Sequence, residues 1–274
     1  MEKTTSVNLT IHNKGFLLPR VMDAIKKNTV GQFEIVFVLD GCTDDSMPLV
    51  EQFCRDNSKI KTQILETPNV FETMANNVAA KKSNGDVIVI IQDDVIIDEY
   101  GYNKRMLKPI EAFSDVFMVT GRTAYNYVFN PETKHLGMVE NLDNCWCDIL
   151  KHEDMSEKGT GLSRDAFAIR NSINRGPLMI KLDVLESLNY LDATFSPLDQ
   201  DDADLAHRAY KELGLLCGCY YINFISELAW GGTRPDGRNP APWHFRAHHK
   251  NTKILYERHK DMMLTKHNEN RTLI

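Results

Sequence analysis

The sequence predicts an α/β fold, a mostly parallel central sheet with helices on both faces. Two observations carry this. Over about the first ninety residues, strand-like segments alternate with segments whose apolar residues recur every four positions, the signature of repeated βαβ units. Acidic residues also fall where the strands end, at Asp40, Asp93 and Asp94, and the carboxyl edge of a parallel sheet is where ligands bind.

The elements follow in order. Val7-Asn8-Leu9-Thr10-Ile11 alternates apolar and polar and reads as a strand. After a turn at Asn13 to Gly15, Leu17, Val21 and Ile25 mark a helix that tolerates Pro19 near its start. Phe33 to Leu39 is a β-rich run closed by Asp40-Gly41, followed by a short helix over Ser46 to Cys54 and a strand near Ile60 to Leu65. Val70, Met74 and Val78 define a third amphipathic helix, closed by Asn84-Gly85. Val87 to Ile91 is a fully buried strand.

The second half is less periodic. Val116 to Thr120 is a strand; Ala124 to Arg175 reads as an irregular, substrate-facing insertion. Leu205, Ala209 and Leu213 give a helix ended by Gly214, Tyr220 to Ile225 is strand-like, and a last helix is expected over about Thr252 to Lys266. Between them, Trp230 to Trp243 holds three glycines, three prolines and two arginines, a composition suited to a lid-like loop. With no linker or repeat, residues 1–274 are expected to form a single domain.

Composition narrows the function. With 42% hydrophobic and 26% charged residues the chain is an ordinary globular protein. A formal charge of −6 argues against wrapping nucleic acid. No apolar run is long enough to span a bilayer, and Met1 to Ile11 lacks a secretory signal, so a cytoplasmic enzyme with reduced cysteines is expected. Cys145-Trp146-Cys147 and Cys217-Gly218-Cys219 lack the usual zinc-ligand gap and read as alternating strand positions.

Two acidic groups stand out. Strand-ending aspartates often only start turns, but adjacent Asp93 and Asp94 at the end of a buried strand repel each other unless a cation offsets them. Hard oxygen ligands of this type suit Mg²⁺ or Mn²⁺ completed by substrate phosphates. The second group, Asp199, Asp201, Asp202 and Asp204, exceeds what helix capping needs and suggests a general base at a helix start, its pKa held low by the helix dipole.

Val38-Leu39-Asp40-Gly41-Cys42-Thr43-Asp44-Asp45-Ser46 resembles the nucleotide-binding turn of family-2 glycosyltransferases, which have the GT-A fold. The likeness continues through Asn77, Gly85-Asp86 and Gln92-Asp93-Asp94, and resumes at Asp201-Asp202-Ala203-Asp204-Leu205-Ala206-His207-Arg208. It implies an inverting transferase that moves a sugar from a nucleoside diphosphate sugar, a UDP-sugar by default, to a hydroxyl of a glycan or glycoconjugate, with a donor half over 1–98 and an acceptor half over 99–274. Under it, Asp40 meets the base with His12 and Asn13 alongside, and Asp94 carries Mn²⁺ or Mg²⁺ with Asp93 facing ribose or sugar. Asp202 deprotonates the acceptor, with Asp201 beside it, and His248, or alternatively His249, supplies a further metal ligand. Arg234 and Arg238 are candidates to clamp the diphosphate. Gln92 stands where the family usually has an acid, which leaves fewer protein ligands for the metal. A sugar-phosphate nucleotidyltransferase is a rival reading, weakened by the single glycine in His12-Asn13-Lys14-Gly15-Phe16. A non-catalytic nucleotide-sugar binder is the other.

Overall fold

Why the chain builds a two-faced sheet is visible in its second strand, where Ile35 to Leu39 are all buried without alternation, which requires cover on both faces. The computed structural model describes residues 3–121, 125–130, 135–138, 147–149, 164–173, 175–226, 242–263 and 269–273. In order, β1 (Thr5–Ile11), α1 (Leu18–Asn28), β2 (Phe33–Asp40), α2 (Ser46–Asp56), β3 (Lys61–Thr67), α3 (Phe71–Ala80) and β4 (Val87–Gln92) form the expected alternating half. There follow β5 (Val95–Ile97), α4 (Tyr102–Ala112), β6 (Val116–Thr120), β7 (Tyr125–Asn130), β8 (His135–Met138), β9 (Cys147–Ile149), β10 (Ala166–Arg170) and β11 (Leu178–Lys181). The chain continues through α5 (Leu182–Ser187), α6 (Asp201–Leu213), β12 (Leu216–Cys219), β13 (Phe224–Ser226), α7 (Pro242–Met263) and β14 (Glu269–Thr272).

Among the described residues, the main sheet has nine strands in the order β14-β10-β12-β6-β11-β4-β1-β2-β3. Its strands β4, β1, β2 and β3 pair in parallel, as do β6 and β12, while β11 and β10 run against their neighbours. The mainly parallel sheet is therefore as expected, with two reversed strands added. One face carries α1, α2 and α4, whose Val21, Ile25, Phe53, Met106 and Ile110 pack on Val7, Leu9, Phe37 and Val89. The other carries α3 on Val36 and Val38, and α5 and α6 on Ile88, Ile90, Leu178 and Ile180.

Three expectations need correction. Ala124 to Arg175 is not wholly irregular: β7, β8 and β9 form a small antiparallel sheet, and β10 joins the main one. These short antiparallel strands leave no helical period to detect. The last helix starts at Pro242, ten residues before Thr252, because its first turns bury Ala247 and Asn251 against the rest of the molecule. Tyr220 to Ile225 is not one strand, since β12 ends at Cys219 and β13 begins at Phe224 to pair with β5. Cys217 and Cys219 are both buried; they flank Gly218, where an added Cβ would lie 2.4 Å from the Ala168 carbonyl on β10. This close strand approach accounts for the Cys-Gly-Cys pattern. No helix among the described residues is long and apolar enough to cross a membrane.

Candidate active site

Parallel pairing puts the ends of β1, β2, β3 and β4 on one edge, and the candidate residues gather there. Asp40, the last residue of β2, is buried. Its Oδ1 accepts from Thr67 Oγ1 (2.7 Å) and the Val70 amide (2.6 Å), and its Oδ2 accepts from the Phe71 amide (2.8 Å). A carboxylate thus sits at the N-terminus of α3, where free amides and the helix dipole favour negative charge. Gly41 follows with φ +60, so close to Asn69 that a Cβ would meet its backbone nitrogen at 2.9 Å. Only glycine fits that turn.

His12 Nδ1 donates to the Asp40 carbonyl (2.5 Å), which sets the tautomer and lets Nε2 accept from Asn13 Nδ2 (3.3 Å). Asn13, in the left-handed region at φ 51, accepts the Thr43 and Asp44 amides on Oδ1. Side chain and backbone of the first turn thereby fix the second.

Beyond β4, Asp93 accepts the His12 amide (2.8 Å) and lies 3.7 Å from Lys14 Nζ. Burial pushes its carboxyl up to about 7; Asp94 and Glu72 add to the rise, and Lys14 and the His12 amide oppose it. Asp94 itself is buried. Among the described residues no group of three or more His, Cys, Asp or Glu side chains is gathered to hold a metal ion. The adjacent carboxylates still fit a hard divalent cation that takes most of its ligands from phosphate, since Mg²⁺ needs only one or two from protein.

Across the edge lies the start of α6. Asp199 and Gln200 are both left-handed, at φ 70, a conformation uncommon outside glycine. Asn251 of α7 holds this turn: its Nδ2 donates to the carbonyls of Phe195 (2.6 Å), Leu198 (2.7 Å) and Asp199 (3.2 Å). Asp202 accepts the Arg175 amide on Oδ2 (2.8 Å) and the Ala203 amide on Oδ1 (2.8 Å). Asp201 accepts from the Arg175 guanidinium and from the Asp202 amide. The expected low pKa for Asp202 is corrected: burial raises it, against the pull of Arg175 and the two amides, because desolvating a carboxylate outweighs the helix-end effect.

The two sides are joined. Gln92 Nε2 donates to Glu72 Oε1 (3.1 Å), and the same oxygen lies 3.4 Å from Arg175 Nη1. Arg175 in turn reaches Asp201 and Asp202. The antiparallel pairing of β11 on β4 explains the meeting: Leu178 pairs with Ile90, and three more steps of that register bring Arg175 level with Asp93. On α7, His248 Nδ1 faces Asp199 Oδ2 at 3.3 Å, His244 lies 3.8 Å from the same oxygen, and His249 is exposed. Trp243 packs edge-on against Phe71. Arg234 and Arg238 lie outside the described residues, as does most of the lid-like loop. Asn77 belongs to the scaffold, exchanging hydrogen bonds with the Leu191 backbone at 2.7 and 3.0 Å.

Sequence reasoning missed Glu72 as a partner and placed Arg175 only at the end of the insertion that begins at Ala124. The one signal for Glu72 is an acid in the first turn of α3; Arg175 carries no local signal, since its partners come from other elements.

Glycosyltransferase GlyG of Streptococcus pneumoniae serotype 4 is 28% identical over 99 residues, 36% of this chain and 33% of that one. Poly(ribitol-phosphate) beta-N-acetylglucosaminyltransferase TarS of Staphylococcus aureus is 29% identical over 112 residues, 40% of this chain and 18% of that one. The matched stretches thus span a third or less of these relatives. In fold, the chain is similar to GalNAc-T7 solved with UDP, GalNAc and Mn²⁺ (TM-score 0.68, 14% identity, 95% of this chain and 50% of that one). It is also similar to the mannosyltransferase PcManGT of Pyrobaculum calidifontis with GDP-Man and Mn²⁺ (0.57, 13%, 93% and 70%). TarS with UDP-GlcNAc gives 0.56 at 15% identity, over 95% of this chain and 70% of that one. The architecture is the GT-A fold. The family model for glycosyl transferase family 2 matches residues 6–175, from β1 through Arg175 and so across most of the polar edge just described; the chain belongs to that family.

Proposed function

We propose that the chain transfers a sugar from a nucleoside diphosphate sugar to an acceptor hydroxyl, with inversion at the anomeric carbon. The observation that carries this reading is the continuous polar path from Gln92 through Glu72 and Arg175 to Asp201 and Asp202. It sets the strand-end carboxylates and a helix-start carboxylate on opposite sides of one edge.

In this reading the nucleotide lies over the ends of β1 and β2, near His12, Asn13 and Asp40. Asp202 accepts the proton of the incoming hydroxyl as oxygen bonds to the anomeric carbon, and the bond from that carbon to the diphosphate breaks on the opposite side. Burial makes the Asp202 carboxylate more basic than an ordinary aspartate, so its ionised form takes a proton more readily. Asp94 would hold a divalent cation, and His248, whose Nδ1 faces Asp199, would offer Nε2 to it. The cation, Mn²⁺ or Mg²⁺, would offset charge on the departing diphosphate. The neighbours solved with Mn²⁺ support it, as those holding UDP, UDP-GlcNAc or GDP-Man support a nucleotide-sugar donor. The acceptor is taken to be a glycan or glycoconjugate, and residues 1–274 to act as one domain.

The test offers a panel of nucleotide sugars with Mn²⁺ to the wild-type chain, Asp202→Asn and Asp94→Ala. Release of nucleoside diphosphate by wild type, its loss by about 10²–10⁴-fold in Asp202→Asn with donor binding kept, and loss of Mn²⁺-dependent donor binding in Asp94→Ala are expected. Binding without turnover overturns the reading, as does conversion of the nucleotide sugar to nucleoside triphosphate and sugar phosphate when pyrophosphate is added.

A further inference from the structure

Arg175 stands where three parts of the chain converge. Its side chain is 8% exposed. Nη1 lies 3.4 Å from Glu72 Oε1 on α3, a second nitrogen bonds Asp201, and Nε lies 3.8 Å from Asp202 Oδ2. Its own amide donates to that same Asp202 oxygen at 2.8 Å. A buried ion cluster of this kind adds little net stability over apolar packing of similar volume, yet leaves uncompensated charge if one partner is removed. Stability alone is therefore a poor reason for an arginine here.

The arrangement constrains one carboxylate from both ends. Arg175 contacts Oδ2 through backbone and side chain, while the Ala203 amide holds Oδ1, so the plane of the Asp202 carboxylate is fixed. We propose that Arg175 is the positioning residue for the proton acceptor of the transfer, orienting the Asp202 carboxylate, favouring its charged form and tying it through Glu72 to the end of β4. This rests on the reading of Asp202 as that acceptor. When the hydroxyl proton moves to Asp202, Asp201 and Glu72 remain as counter-charges, so neutralising Asp202 does not strand a buried cation. The charged and titratable groups facing Asp202 are Arg175, Asp201, Asp199 and, through Arg175, Glu72; His244 and His248 of α7 face Asp199. Without the guanidinium, acidic groups dominate this set, and like charges disfavour ionisation.

The experiment follows the side-chain carboxyl resonance of Asp202 by ¹³C NMR against pH in the full chain, assigned by its disappearance in Asp202→Asn. Arg175→Gln should raise the titration midpoint by a pH unit or more, a tenfold change in ionisation constant, and Arg175→Lys by less. If Arg175→Gln does not fold, Arg175→Lys alone must still raise the midpoint. A purely structural arginine would lower the melting temperature and leave the midpoint in place, and an unmoved midpoint overturns the proposal whether or not Asp202→Asn still transfers sugar. Wild-type transfer by Asp202→Asn instead overturns the reading of Asp202 as base and removes the catalytic meaning of any shift.

Discussion

Replacing Asp40 with alanine should unfold the chain more readily before any question of nucleotide binding arises. Asp40 is 2% exposed, and its carboxylate accepts hydrogen bonds from Thr67 Oγ1 and the Val70 and Phe71 amides. Hydrogen bonds to a charged group contribute about 1.5–3 kcal/mol each, and they are not additive when they share one acceptor. Alanine would also leave the amides at the start of α3 without their acceptor, in a place too buried for easy hydration. A loss of about 3–5 kcal/mol follows, a large share of the roughly 5–15 kcal/mol typical of a folded domain. With a urea slope of about 3 kcal/mol per molar, the unfolding midpoint should fall by roughly 1–1.7 M without nucleotide present. Thr67→Ala, which removes one donor with its acceptor still occupied, should cost only about 1 kcal/mol. Urea melts followed by far-ultraviolet circular dichroism give both numbers. If the Asp40→Ala midpoint stays within about 0.3 M of wild type, the carboxylate does not hold α3, and its contacts carry less energy than their geometry implies.

Gly41→Ala forces a left-handed residue at φ +60 against the Asn69 backbone, and should cost at least about 2 kcal/mol, lowering the melting temperature by roughly 4 °C or more. An unchanged melt would show that this turn relaxes freely. Asp204 accepts from His259 Nε2 (2.8 Å) and Arg208 Nε (2.7 Å); burial is the largest single influence and raises its carboxyl, but these partners together outweigh it and hold the carboxyl below the usual range. A lowered folded pKa means the unfolded chain binds the proton more readily, so the stability from Asp204 is present above the ordinary carboxyl value of about 4 and lost as pH falls through the folded one. Asp204→Asn should therefore flatten the acid side of the stability profile below about pH 5. An equally steep profile in the variant would place that loss on other groups.

Much of the first half was legible without coordinates because its signals are local. Val21 and Ile25 recur at helical spacing, Val87 to Ile91 form an unbroken apolar run, and Asp40 and Asp93 close their strands, so periodicity and turn chemistry carry the information. The Asp204–Arg208 pair was equally readable, being one helical turn apart, and is present at 2.7 Å. The antiparallel insertions β10 and β11 were less so. Their four or five residues are too few for a period, and their place in the sheet depends on partners distant in the chain.

The site divides the same way. Sequence determined which acids are available and that they end strands or begin a helix, since those positions follow from short-range pattern. Tertiary structure alone decided that Glu72, reached from α3, and Arg175, carried in by the reversed strand β11, join the two acidic groups. It also decided that Asp202 is raised rather than lowered, because the desolvation of a carboxylate depends on what the rest of the chain packs around it.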